Sequence, residues 1–520
     1  MTSNPYDTLV IGAGHNGLVA AAYLAKQSKT VLVLERRAIV GGSVVTESFG
    51  EGFTVDSVQT GGTLRPDIIK DLKLSRPTVK QKPDFISLVG RTGPSRMLRD
   101  SATDDGHLTL DAESIKRFSE KDAARWGEFV RFMNKSAKIL EKAYATIMPR
   151  LPMNFNAREG FGLMELGLNL RLAGRKDMLN FIRALPMSAQ ELVEEYFESE
   201  VLKAAIASVA IHGSTFGPMS AGTGYTLIHN WLNRGGLAHV HAGKAGEIIN
   251  ALAKAVKSFG GQIRTEAEVT KILVENQTAR SVMLASGEEI PAKTILSSAD
   301  PKQTLLKLVG PMELPPEFVW HTQSIKMRGS VAKVHLLTDG KHGIPEGTVV
   351  LAPSIKYLER AYDMAKYGEI SAKPYLEVTT SASGSVHPLP SVEKSVVSIH
   401  FQFAPYNLKN SSWQVEGLNV EKLAIDALAE YFPNLKSSIK NTKTITPKDL
   451  EETYGLTEGD LNHGQLMLDQ FLFMRPIPGW SNHKTPIDNS YLCGSGVHGG
   501  GGVSGVGGRN VVKILKNNGI

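Results

Sequence analysis

The chain has one cysteine, Cys493, in 520 residues. A single thiol leaves no internal disulfide, no Cys-x-x-Cys redox pair and no thiolate zinc cage. Long apolar runs are missing as well. The longest, Leu9 to Ala25, is interrupted by His15, Asn16 and glycines, so it is not a membrane span. There is no block of five or six like charges, and 58 basic against 52 acidic residues leave a formal charge of +6. So mild a surplus argues against a nucleic-acid partner. No basic n-region precedes the first apolar run, so the expectation is a cytoplasmic protein, with peripheral contact on an anionic membrane as the other option. What is plentiful is glycine, 50 in all, with nine in the fifteen residues from Gly494 to Gly508. At 42% hydrophobic and 21% charged, the rest is an ordinary globular composition.

The first thirty-five residues explain some of that glycine. Tyr6–Ile11 is a short apolar, β-branched run, as in a buried parallel strand. GAGHNG follows, with Gly12, Gly14 and Gly17, then a helix former, LVAAAYLAKQ, and a second strand, TVLVLE, ending in Glu35. This is a β-turn-α-β dinucleotide unit with its acidic residue. Gly12 permits the tight turn, Gly14 lets backbone approach a pyrophosphate, and Gly17 lets helix and strand pack closely. His15 and Asn16 lie in the same turn, where helix N–H groups and dipole favour an anion. Glu35 suits ribose hydroxyls and would repel the 2′-phosphate of NADP.

The next stretch separates FAD from NAD. Glu35-Arg36-Arg37 runs to Val40-Gly41-Gly42-Ser43, a second glycine pair that an NAD domain does not need. In two-domain flavin oxidases such a segment wraps the far side of the long FAD, and Arg36 can cover the adenine or its phosphate. ERRAIVGGS resembles the ERR-x-x-x-GG segment of the phytoene desaturase and amine oxidase flavoprotein group. Members usually carry Arg or Ala after the glycine pair, so Ser43 loses a basic contact there and keeps only a backbone one to offer. The resemblance implies FAD as cofactor. It also implies that the strand at Glu268-Val269 offers backbone to the adenine, a role assigned to Val269; a plain β-hairpin reads identically.

The C-terminal segment, DNSYLCGSGVHGGGGVSGVGGRNVVKILKN, reads as a strand, a bare loop and a helix. Gly494 to Gly499 spells a second GxGxxG, but only 21 residues follow Gly499, too few for a βαβ unit of about 30 residues. With no second nucleotide domain, NAD(P)H is not expected as a stoichiometric partner. The segment is similar to the final motif G-x-G-x-H-P-G-x-G-x-x-G of the same group, with Gly499 in place of the proline. That likeness puts Gly494, Gly502 and Val503 at the isoalloxazine ring. Cys493 reads as a strand residue beside the flavin and not a nucleophile. The stretches SAGTGYTLIHNWL, HVHAGKAGEI and LDQFLFMRPIPGW resemble one subgroup of this family, which has bacterial phytoene dehydrogenase-like members.

The expected fold is α/β: a Rossmann-type FAD-binding domain with an inserted α+β substrate domain. The cofactor domain takes residues 1–70, 236–310 and 471–520; the substrate domain takes 71–235, mostly helical, and 311–470, mostly sheet. Phe129, Phe132, Met133, Ala137 and Leu140 recur at helical spacing, as core positions do. Phe161–Leu185 mixes leucines with Arg171, Arg175, Lys176 and Arg183, which reads either as ordinary packing or as a membrane-docking helix. His212, His229, His400 and His463 form no metal spacing and read as structural, while the motif of His498 places it near the flavin.

The leading functional expectation is an FAD-dependent oxidoreductase that desaturates or isomerises a long apolar, carotenoid-like or lipid small molecule, with oxygen or a quinone as electron acceptor. Flavin chemistry asks of the protein mainly binding, orientation and exclusion of water, so no catalytic side chain is singled out. An amine-oxidase-like enzyme with an aromatic cage, or an FAD-holding, membrane-associated interaction protein with little catalysis, are the alternatives.

Overall fold

Thr8–Ile11, fully buried, forms strand β1; His15–Lys26 forms helix α1; Val31–Leu34 forms strand β2. The architecture is that of a computed structural model, which describes residues 5–50, 52–59, 62, 64–75, 85–88, 100–102, 108–110, 115–151, 160–172, 174–237, 245–381 and 394–519. The first six residues of the HVHAGKAGEI stretch therefore lie outside the described residues.

β1 and β2 pair in parallel at the centre of a five-stranded sheet ordered Ser490–Leu492, Ile295–Ser297, β1, β2, Gln262–Arg264. All its neighbours are parallel, as expected of strands that read as continuous apolar runs. Segments from the start, the middle and the end of the chain thus meet side by side. α1 is packed by Ala245–Ser258 and by the C-terminal helix Val506–Asn517. The latter contact is very close: a Cβ added to Gly508 would lie 2.1 Å from the Asn16 carbonyl oxygen. The late glycines therefore serve helix packing as well as any ligand.

A second sheet of six strands runs Ile439–Ile445, Val331–Thr338, Ser395–Gln402, Tyr375–Ser381, Gly347–Val350, Phe85–Ser87. It is antiparallel except for its last pair. Phe85–Ser87 is a strand within a stretch expected to be mostly helical. One row of this sheet carries Lys333, His400 and Glu377 side by side, all buried. Arg234 donates to Glu377 at 2.9 Å, His212 stacks on His400, and burial pushes the Lys333 ammonium down to about 8.

Helices from residues 120 to 234 form the other large core. Ser119 caps Glu120–Ala145 by accepting from the Asp122 N–H. Phe129, Phe132, Met133, Ala137 and Leu140 are all buried in it, and each large side chain contributes roughly 1.5–3 kcal/mol. The stretch Phe161–Leu185 is not one helix but two, Gly160–Leu172 and Arg175–Ala184, separated at Gly174 by a positive φ of 97° that a residue with a Cβ rarely adopts. Among the described residues no helix is long and apolar enough to cross a membrane, and no group of three His, Cys, Asp or Glu is placed to hold a metal ion.

Candidate functional site

At the C-terminal ends of β1 and β2 a cavity of about 410 Å³ opens, where ligands of open α/β sheets bind. Its wall is built from the glycine turn. Gly12 adopts a φ of 89°, and its N–H donates to the Leu34 carbonyl at 2.8 Å, locking the turn onto β2. The Ser298 hydroxyl donates to the Ile11 and Gly12 carbonyls, each at 3.0 Å. Gly17 faces that same spot, where a Cβ would come 2.3 Å from the Gly12 oxygen. Gly14 differs, because a Cβ there would meet nothing within 4 Å. It faces open cavity.

The second glycine pair folds onto the first. The Gly41 N–H donates to the Ala13 carbonyl at 2.9 Å, and a Cβ on Gly42 would sit 3.5 Å from the Gly14 Cα. Glu35 is buried; its carboxylate accepts from the Ala13 N–H at 2.9 Å and the Arg37 N–H at 3.0 Å. Arg36 donates to the Thr453 carbonyl at 2.8 Å and the Glu452 carbonyl at 3.1 Å. It thereby clips the end of helix Pro447–Tyr454 over the cavity mouth. Arg37 pairs with Glu47 and lies over the Tyr454 ring.

The cavity lining thus brings together Gly12, Gly14, His15, Asn16, Glu35, Arg36, Gly41, Gly42, Ser43 and Val269. Gly17, Gly494, Gly502 and Val503 are not in it. Each is drawn into packing instead. A Cβ on Gly494 would lie 2.4 Å from the Ser298 carbonyl oxygen, Gly502 abuts Asn233, and Val503 fills the space above Gly62. The late loop reaches the cavity through Ser495, whose hydroxyl accepts from the Asn16 amide at 3.3 Å.

His463 also lines this cavity, unlike the structural role expected for it. It has a φ of 55° in the turn Asn462-His463-Gly464. A His before Gly is the only sequence signal, and it marks a turn, not its destination. Holding that turn is Arg475. Its guanidinium is buried and donates to five backbone carbonyls: Asn462 at 2.6 Å, Ser495 at 3.0 Å, Gly464 at 3.1 Å, and Gln465 and Val497 at 3.2 Å. One side chain thereby joins the His463 turn to the late glycine loop.

Two ring nitrogens of the lining, His15 Nε2 and His463 Nδ1, are buried without a partner among the described residues. Burial, and secondarily the neighbouring His463, push His15 down to about 4. Unpartnered polar nitrogens over a bare glycine cradle fit a ligand rich in phosphate and hydroxyl oxygens. His498 also keeps a buried Nδ1 without a partner among the described residues, but its Nε2 bonds the Ala143 carbonyl at 2.9 Å and the residue lies outside the lining. His229 meets the Tyr144 hydroxyl at 2.7 Å, and Tyr144 meets Tyr225 at 2.9 Å.

A family model described as flavin containing amine oxidoreductase matches residues 17–387. The chain belongs to this family. It is 31% identical to the mouse protein called pyridine nucleotide-disulfide oxidoreductase domain-containing protein 2, over 98% of this chain and 93% of that one. A lycopene-forming phytoene desaturase of Pseudescherichia vulneris is 24% identical over 96% of each chain. The crystal structure of an oxidoreductase from Methanosarcina mazei has the same fold, with a TM-score of 0.60 at 18% identity, covering 98% of this chain and 99% of that one. The fold is the α/β FAD-binding fold, the cofactor is FAD, and the protein is a flavin-dependent oxidoreductase.

The disulfide in the mouse protein's name has no counterpart here. Cys493 is fully buried, and burial pushes its thiol up to about 12. A thiol so protonated is a poor nucleophile. Iodoacetamide is therefore expected to label Cys493 only after denaturation, and Cys493→Ala to retain full flavin content; mass analysis and the visible spectrum check both.

The buried histidines predict an acid-sensitive fold. Burial holds His15, His483 and His498 at about 4, and His229 and His335 at about 3, against an ordinary value of about 6.5. Between those limits the unfolded chain binds more protons than the native one, so stability rises with pH across the window and is lost as pH falls through it. Each such group contributes up to about 1.4 kcal/mol per pH unit. The thermal midpoint is expected to hold near about pH 7.5 and to fall steeply below about pH 6, as calorimetry would show.

Proposed function

We propose that the protein acts on a long apolar, carotenoid-like or lipid molecule, desaturating it by removal of a hydride and a proton or isomerising it without net oxidation. The observation that carries this reading is a second cleft of about 230 Å³, lined largely by apolar side chains including Pro186, Phe216, Leu466, Met467 and Leu468. The segment from His463 to Leu468 runs from the cofactor cavity straight into that cleft. Relatives in the same family include a phytoene desaturase and, at 26% identity, a component of a limonene dehydrogenase of Castellaniella defragrans. Their names speak of apolar hydrocarbons.

FAD, when bound, would supply the hydride acceptor, with oxygen or a quinone as the final electron acceptor in this reading. In this reading the turn Gly12–Gly17 and the N–H groups of α1 hold the pyrophosphate, with His15 and Asn16 beside it. Glu35 holds the adenosine ribose, the Val269 backbone the adenine, and Gly41 to Ser43 the far side. Arg36 acts through the Glu452 and Thr453 carbonyls to close the mouth. Gly494, Gly502 and Val503 shape the loop behind Ser495. The chain's task is to hold and orient the two reactants and to keep water out.

A second reading, oxidation of an amine, rests on the buried aromatic group of Tyr144, Tyr225 and Phe471 around His229, since aromatic faces attract cations. Anaerobic mixing of the FAD-loaded protein with candidate reductants decides between them. Bleaching of the flavin by a polyene or lipid supports the first reading, and bleaching by an amine supports the second. Bleaching by neither returns the chain to an FAD-holding interaction protein. A cytoplasmic location with peripheral membrane contact belongs to the same proposal.

A further inference from the structure

A surface helix normally presents an apolar stripe inward and a polar face to water. Helix Gly160–Leu172 does not. Leu163, Leu166 and Leu170 pack inward beside Met148, while Phe161, Met164, Leu168 and Leu172 point out, 66%, 65%, 59% and 74% exposed. Their spacing of three, four and four residues aligns them as one stripe. The next helix, Arg175–Ala184, repeats the pattern: Phe181 and Ala184 are buried, and Leu179 and Ile182 are about half exposed, at 51% and 50%. Both helices lie on the same partner, Glu120–Ala145. Six large apolar side chains on one hairpin make an exposed patch that asks for a cover.

Charge indicates the occupant. The hairpin carries Arg171, Arg175, Lys176 and Arg183 against Glu165 and Asp177. Asp177 is paired with Lys135 at 2.6 Å and Arg183 with Glu195 at 2.6 Å, which leaves Arg171, Arg175 and Lys176 against Glu165. Apolar side chains rimmed by cations suit an interface of acyl chains and anionic headgroups. The hairpin also leads directly into Pro186, the edge of the apolar cleft, where Leu468 is partly exposed as well.

We propose that the hairpin Gly160–Ala184 docks on the surface of an anionic bilayer, with the Pro186–Leu468 cleft beside it as the way in for a membrane-dissolved substrate. The role of the cleft rests on the apolar-substrate reading; the docking does not.

The test is co-sedimentation of the FAD-loaded full chain with vesicles of phosphatidylcholine alone or mixed with phosphatidylglycerol. Binding is expected to the mixed vesicles, and about tenfold weaker to the neutral ones or in high salt. Leu168→Glu with Leu172→Glu is expected to cut binding to mixed vesicles by about tenfold or more. Arg175→Glu with Lys176→Glu, which leaves the apolar stripe intact, should remove the preference for anionic vesicles. Both double variants should keep bound FAD and an unchanged far-ultraviolet spectrum. The proposal is overturned if the native chain sediments with neither vesicle, if the variants bind as it does, or if light scattering shows a dimer that the leucine variant splits. Sedimentation with anionic vesicles together with a flavin that neither polyene nor lipid bleaches would leave the docking standing and remove the reading of the cleft as an entry for an oxidised apolar substrate.

Discussion

A Gly14→Val protein is expected to fold normally and to purify without colour. The backbone at Gly14 has a φ of −70° and a ψ of 169°, an extended conformation that valine adopts readily. An added Cβ meets nothing within 4 Å, so the side chain costs the fold almost nothing. It projects instead into the cavity over the N-terminus of α1, where the pyrophosphate is held in our reading. Two added methyl groups there displace the phosphate from the helix N–H groups, and FAD affinity is expected to fall by about 100-fold, or ~3 kcal/mol. Titration of the apoprotein with FAD, followed by quenching of flavin fluorescence, measures it. An affinity within about tenfold of the native one would show that the phosphate does not sit on α1. Gly17→Ala is the opposite kind of change: its Cβ would lie 2.3 Å from the Gly12 oxygen, so that variant is expected to fail before any cofactor is added.

The second large effect is expected at Arg475. Replacing it by leucine removes the donors for five backbone carbonyls at once, four of them in buried contacts. Each buried polar group left without a partner costs about 1–3 kcal/mol, so the loss is expected to reach several kcal/mol. The urea midpoint of the apoprotein should fall accordingly. Flavin affinity should fall too, because the turn that presents His463 and the loop that presents Ser495 lose their common anchor. Arg475→Lys should restore only a minor part, since an ammonium has three donors on one atom where guanidinium spreads five across a rigid fork. An unchanged midpoint for Arg475→Leu would mean that the carbonyls find other donors and that the hub is not needed.

The nucleotide end of the site is legible in the sequence because it is local. Strand, glycine turn, helix, strand and Glu35 follow one another within the first thirty-five residues, and each step has its own residue signature. Gly41 and Gly42 come just after, and the structure folds them back on Ala13 and Gly14. The other end of the site is less legible. Gly502 and Val503 carry the right spacing but pack against Asn233 and Gly62, because a glycine-rich string does not reveal which of its bare faces meets protein. His463 escapes the sequence for a related reason. A histidine in a turn reads alike wherever the turn goes, and Arg475 takes this one to the cavity from further down the chain. The split in Phe161–Leu185 is a smaller instance, since the second helix starts from Gly174 at a φ of 97°.

Local order and residue chemistry were therefore enough to establish a dinucleotide unit, its preference for FAD over NAD and the absence of dithiol chemistry. They are consequences of backbone freedom, charge and a single thiol, which hold wherever the segment lies. Only the tertiary structure decided which late residues reach the cavity, which buried histidines are left without partners, and which helix face stays uncovered. Those depend on contacts between segments hundreds of residues apart, such as Asn16 with Ser495 and Gly508, and no local periodicity records a contact of that range.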